Sequence, residues 1–168
     1  MIDKHSRLFI AQMFCKIDSA IKIAALQHYD FFDSLRMIGE SVVCRRIFLS
    51  KGYLPSYIAL QWAIVNGDLD LMRGHIATEA DAYEWACRFG DRDLMVEHIN
   101  TQIYIYLWGK NVGHRELMRS RITDPWFALC WARDIGDHDK MLEIVKNTKY
   151  QEAWDDYFSD AWCERKLG

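Results

Sequence analysis

The chain has no uninterrupted apolar stretch near the roughly 18 to 20 residues that a membrane-crossing helix requires, so no membrane association is expected. It also lacks any CxxC pair. Its five cysteines (Cys15, Cys44, Cys87, Cys130 and Cys163) are odd in number, and nothing near Met1 resembles a secretory leader, so reduced thiols in a soluble cytoplasmic protein are expected. Cys87 and Cys130 fall inside repeated helical segments, where a small apolar filler is the expected role. No strong excess of charge is present. The formal net charge is −3, split as +3 over residues 1–54, −4 over 55–147 and −2 over 148–168. A nucleic-acid binder normally shows a basic face, so direct nucleic-acid binding is not expected.

Motifs for chemistry are missing as well. There is no glycine-rich phosphate loop, no serine or cysteine nucleophile motif and no His-Glu-x-x-His helix, so an enzyme is not expected and no cofactor is called for. His75 and His98 stand one repeat apart, but repeated units stack at about 10 Å, too far for two histidines to share a metal without a further ligand. No metal site is expected.

What the sequence does have is repetition. Trp62, Trp85, Trp108, Trp131 and Trp154 fall at a constant spacing of 23 residues, as do Gly67, Gly90, Gly113 and Gly136. A period in the twenties means stacked units, each too small to bury its own apolar face, with the core built between neighbours. In each unit the residues before the glycine have helical apolar spacing, as in Leu60, Trp62, Ala63 and Ile64; so do those after it, as in Leu71, Met72 and Ile76. Each unit reads as a helical hairpin. The glycine suits a left-handed stop for the first helix. Asp68, Asp91 and Asp137 are N-cap candidates for the second, with Asp70, Asp93, Glu116 and Asp139 in its first turn, where the helix dipole favours an anion. Small residues at Ala63, Ala86, Gly109 and Ala132, methionines at 72, 95, 118 and 141, and Ile76, Ile99, Ile122 and Val145 complete the predicted core ladders.

The phrase Ala-Leu-Gln-Trp-Ala-Ile-Val-Asn-Gly-Asp-Leu-Asp-Leu-Met-Arg at 59–73, and Gly-His-Arg-Glu-Leu-Met at 113–118, resemble the helical part of an ankyrin repeat. The resemblance covers 55–147 well, 148–168 weakly and 39–54 in part. It implies an all-α solenoid of stacked helix-turn-helix, ankyrin-like repeats with a helical N-terminal cap. Standard ankyrin units run to about 33 residues because a β-hairpin finger joins successive pairs. The 23-residue period leaves only a few residues, such as Ala77-Thr78-Glu79, so most of the fingers are absent and partner contacts fall to helix faces.

The expected organisation is a capping segment with a partial repeat (1–54), four repeats (55–147) and a degenerate closing repeat (148–168). The cap reads as helices near 5–16, 18–29 and 31–50, with the apolar run at 21–26 covering the first repeat. The third unit deviates: Gln102–Leu107 has poor helix propensity, Gly109 replaces alanine, and Lys110, His114, Arg115, Arg119 and Arg121 make it locally basic.

In ankyrin-like arrays the residues just before the turn glycine face the groove. Here they are Val65 and Asn66, Arg88 and Phe89, Asn111 and Val112, Asp134 and Ile135, with Phe89, Val112 and Ile135 as an apolar ridge or as packing for the turn. The expected function is a non-catalytic protein-protein interaction module, an adaptor or an inhibitor that blocks a partner surface. Compact arrays of this kind resemble viral or bacterial proteins aimed at host machinery, which would place this one in the host cytoplasm. Two alternatives are a self-assembling structural subunit and a nucleic-acid mimic built on an acidic ridge of Asp68, Asp91 and Asp137; the oligomeric state stays open.

Overall fold

The computed structural model describes residues 31–40, 42–50 and 54–158, and among these every regular element is a helix. The helices expected near 5–16 and 18–29, the Lys51-Gly52 turn and the tail beyond Phe158 lie outside the described residues. The chain divides into two units, Met1–Asp81 and Ala82–Gly168.

The first unit holds α1 (Phe31–Glu40), α2 (Val42–Leu49), α3 (Ser56–Asn66) and α4 (Leu69–Arg73). The single helix expected over 31–50 is thus two. Gly39 weakens the helix near the break, and a Cβ there would overlap the side chain of Asn66, which donates from Nδ2 to the Leu35 carbonyl at 3.2 Å. Helix α1 packs on both α2 and α3, and α3 pairs with α4. Their shared core is Leu35, Ile38, Phe48, Ile58, Trp62 and Met72, with Phe48 stacked on Trp62 at 3.9 Å between centroids and 11° between planes. Gly67 adopts φ 77°, and its N–H closes α3 on the Ala63 carbonyl at 3.0 Å. Buried Ser56 then holds the exit of this hairpin, its Oγ accepting from the Ala77 N–H at 2.9 Å.

Helix α5 (Glu79–Phe89) starts at a reciprocal cap: Thr78 Oγ1 accepts from the Asp81 N–H at 3.2 Å and donates to Asp81 Oδ2 at 2.6 Å. The second unit continues with α6 (Arg92–Met95), prolonged by a 3₁₀ turn over Val96–His98, then α7 (Gln102–Asn111), α8 (Arg115–Arg121), α9 (Pro125–Ile135), α10 (His138–Val145) and α11 (Gln151–Phe158). Helices pack in adjacent pairs, α7 with α8 and α9 with α10, while α7 also meets α9 and α10 meets α11. Gln102 repeats the role of Ser56, its Oε1 accepting from the Thr123 N–H at 2.8 Å and the Asp124 N–H at 3.1 Å. These short ties hold the links that leave each helix pair.

The repeated columns are core. Trp62, Trp85, Trp108 and Trp131 have no exposed surface, and Met72, Met95, Met118 and Met141 are equally buried. The poor helix formers of Gln102–Leu107 lie within a regular helix because Ile105, Tyr106 and Trp108 are buried, and tertiary packing outweighs local propensity. Gly109 has a non-local reason: a Cβ there would overlap the ring of Trp131 from the following hairpin.

The aspartates after the turns do not cap as expected. Asp68, Asp91 and Asp137 occupy N-cap positions, yet none of their side chains bonds the first-turn amides. Trp62 donates its indole N–H to Asp68 Oδ2 at 2.8 Å, and Trp85 does the same to Asp91 Oδ2 at 2.9 Å. A buried indole N–H without an acceptor costs about 1–3 kcal/mol, whereas solvent can serve a first-turn amide, so the carboxylate goes to the indole. Asp124 does cap its helix, accepting from the Trp126 and Phe127 N–H groups at 2.9 and 3.3 Å ahead of Pro125.

Candidate functional site

The pre-turn residues are largely engaged within their own unit. Val65 is half-buried, and Asn66 is the clasp over Gly39. Arg88 is exposed and pairs with Glu84, Nε to Oε1, at 2.6 Å. Phe89 is half-buried, edge-on to Trp85 at 4.8 Å. Asn111 donates to the Tyr83 hydroxyl at 2.8 Å, and Val112 is buried. Asp134 accepts from Arg133 Nε at 2.7 Å, from Lys110 Nζ at 2.5 Å and from the Tyr106 hydroxyl. The Arg133 guanidinium, assisted by Lys110 and Tyr106, holds the Asp134 carboxyl well below the usual carboxylate range against the opposing effect of burial. Ile135 is half-buried. Phe89 and Ile135 thus stay partly open to solvent, whereas Val112 between them in sequence does not.

The aspartate column is engaged as well. Asp68 receives Arg45 in addition to the Trp62 indole, and Asp137 receives Arg119 Nη1 at 3.0 Å. His114 stands where the third unit would carry the aspartate. Its Nδ1 accepts from the Trp108 indole at 3.4 Å, its Nε2 meets Asp93 Oδ1 at 2.9 Å, and its backbone takes the left-handed φ of 52°.

A second repeat-spaced set was not singled out by its sequence. Leu71, Leu94 and Leu117, 23 residues apart, are 57%, 51% and 48% exposed, although each directly precedes a buried methionine. Leu71 therefore does not join Met72 and Ile76 in the core as its spacing suggests; successive residues on a helix point about 100° apart, and the methionine takes the inward direction. Tyr57, Ile103 and Trp126, near the starts of α3, α7 and α9, are similarly exposed. Strict spacing was the available signal: it says that positions share an environment without saying which environment.

Two concavities flank the turns of the second unit. One, about 390 Å³, is lined by Gly90 through Leu94 with His114. The other, about 280 Å³, lies between α8 and the Gly136-Asp137 turn, with Arg115, Arg119, Trp131 and Ile135 on its walls. In the first unit a wider groove of about 620 Å³ runs over Val42, Arg45, Arg46 and Leu49.

In comparisons with known proteins, no family model, no curated protein and no solved structure matches the chain. Its own geometry is the guide to function. Among the described residues no group of three or more histidine, cysteine or acidic side chains is placed to hold a metal, and no helix is long and apolar enough to cross a membrane. Cys130 is buried, which raises its thiol pKa, whereas Cys87 is exposed and so is not the core filler expected of it. Exposed apolar side chains beside mixed charge in shallow concavities suit contact with another macromolecule.

Proposed function

We propose that this chain is a non-catalytic protein-binding module of short ankyrin-like units, an adaptor or an inhibitor that covers a partner surface in the cytoplasm. The observation that carries the reading is the two half-exposed leucines at 94 and 117 in the second unit, with a half-exposed Leu71 at the equivalent sequence position of the first. Each sits at the same place in its hairpin, outside the core built by the neighbouring methionine. In the second unit Leu94 borders one of the turn concavities, among the charged side chains of Asp91, Arg92 and Asp93. Of the pre-turn residues in the second unit, Arg88 is exposed and Phe89 and Ile135 are partly open.

The engagement of Asp68, Asp91 and Asp137 by indoles and arginines supports a structural role for that column over nucleic-acid mimicry. The test is affinity capture from the native source with wild type beside a Leu94→Asp/Leu117→Asp variant of unchanged helicity. A protein retained by the first and lost from the second supports the module. Equal capture moves the site off this face. No specific capture, with a mass that grows with concentration, favours self-assembly.

A further inference from the structure

The buried tryptophan N–H is matched by an acceptor in three of the four hairpins: Asp68, Asp91 and His114. The fourth breaks the series. Asp137, the residue equivalent to Asp68, is turned to Arg119, and Trp131 Nε1 is left buried with no hydrogen-bond partner. Arg119 Nε is likewise buried and unpartnered, although its two terminal nitrogens reach Glu116 and Asp137. Both residues line the concavity of about 280 Å³, with the carboxylates of Glu116 and Asp137 also on its walls. Arg115, exposed at the same concavity, has no carboxylate within ion-pair distance among the described residues.

Two orphaned buried donors in one pocket are costly unless an acceptor arrives, because each lost its water on folding. The molecule itself shows which acceptor fits: in the first unit one carboxylate takes both a tryptophan indole N–H and an arginine, Trp62 and Arg45 on Asp68. We propose that the pocket between α8 and the Gly136-Asp137 turn receives the carboxylate of an aspartate or glutamate side chain from the partner protein. Trp131 Nε1 and Arg119 Nε are its hydrogen-bond donors, and Arg115 offsets the carboxylates of Glu116 and Asp137 that share the concavity. Ile135 contacts the aliphatic part of the incoming side chain. The assignment rests on the protein-binding reading for the source of the carboxylate and on the orphaned donors for its chemistry.

The test follows the indole N–H resonances of the ¹⁵N-labelled full chain, with that of Trp131 identified by its loss in Trp131→Phe. The probes are N-acetyl-aspartate N-methylamide, its asparagine analogue and sodium acetate. The expected result is a saturable shift of the Trp131 indole with the aspartyl compound in the millimolar range, with the Trp62 and Trp85 indoles unmoved. The asparagine analogue and acetate should each bind about tenfold more weakly, and Arg115→Gln should weaken the aspartyl compound by about tenfold. Equal binding of asparagine overturns the carboxylate, and equal binding of acetate overturns the protein side chain as its source. Capture that survives while the titration fails removes this pocket alone; a successful titration without any captured partner removes the protein-binding reading and leaves the pocket.

Discussion

Replacing Asp68 separates the two roles its position allows. Its carboxylate accepts the Trp62 indole N–H at 2.8 Å and pairs with Arg45, while the first-turn amides of α4 receive nothing from it. Asp68→Ala leaves a fully buried donor without an acceptor, at a cost of about 1–3 kcal/mol. The Arg45 pair adds little, because that guanidinium is 44% exposed and solvent screens it. Loss of an N-cap alone would cost a similar ~1 kcal/mol, so the single variant does not discriminate. Two further proteins do. Asp68→Ser keeps a good capping group but is too short for the indole, so it should be as destabilised as the alanine variant; in the Trp62→Phe background, where no N–H remains, Asp68→Ala should lose most of its effect. The assay is urea unfolding of all four members of the cycle, with a coupling energy of about 1–2 kcal/mol expected between positions 62 and 68. Full rescue by serine together with a coupling near zero would refute the indole clasp and restore the capping role.

Three further outcomes follow from the packing and charges. Gly109→Ala forces a methyl group into the ring of Trp131 and should cost about 1–3 kcal/mol, whereas alanine at an ordinary exposed helical glycine stabilises; thermal unfolding reads the sign. Leu117→Ala should change stability by less than about 0.5 kcal/mol while Met118→Ala costs about 2–5 kcal/mol, and comparable losses would place Leu117 in the core. The depressed Asp134 carboxyl contributes stability that is fully present above the ordinary carboxylate range, near pH ~4, and is lost as pH falls from there toward its lower folded value. Asp134→Asn should therefore flatten the acid side of the stability profile, and an unchanged acid slope would contradict the network.

The period of 23 made most of the fold legible. Buried tryptophans and methionines, left-handed turn glycines and paired helices all follow from a repeat that must bury its faces against neighbours. The role of Asp68 was not legible, because a carboxylate after a turn glycine serves a helix cap and a buried indole six residues earlier equally well in sequence. Gly109 looked like a defect, since its reason is a ring 22 residues away. The lack of a side chain at Gly39 makes room for Asn66, again a distant contact. Arg88 and Ile135 were singled out in the sequence by their place before the turn glycine. Leu71, Leu94 and Leu117 were not, because Leu-Met in three of the four second helices offers two apolar residues and only packing decides which one turns inward. The orphaned Trp131 indole was hidden by sameness: Trp131 and Asp137 read like Trp62 and Asp68, and the difference lies in Arg119.

The measurement closest to the central claim places a photo-crosslinking amino acid at position 117, and in a control protein at exposed position 152, in the full chain within its native source. The account predicts one defined partner joined at 117 and none at 152. Equal crosslinking at both positions, or crosslinks at 117 only to a second copy of the chain, would contradict it.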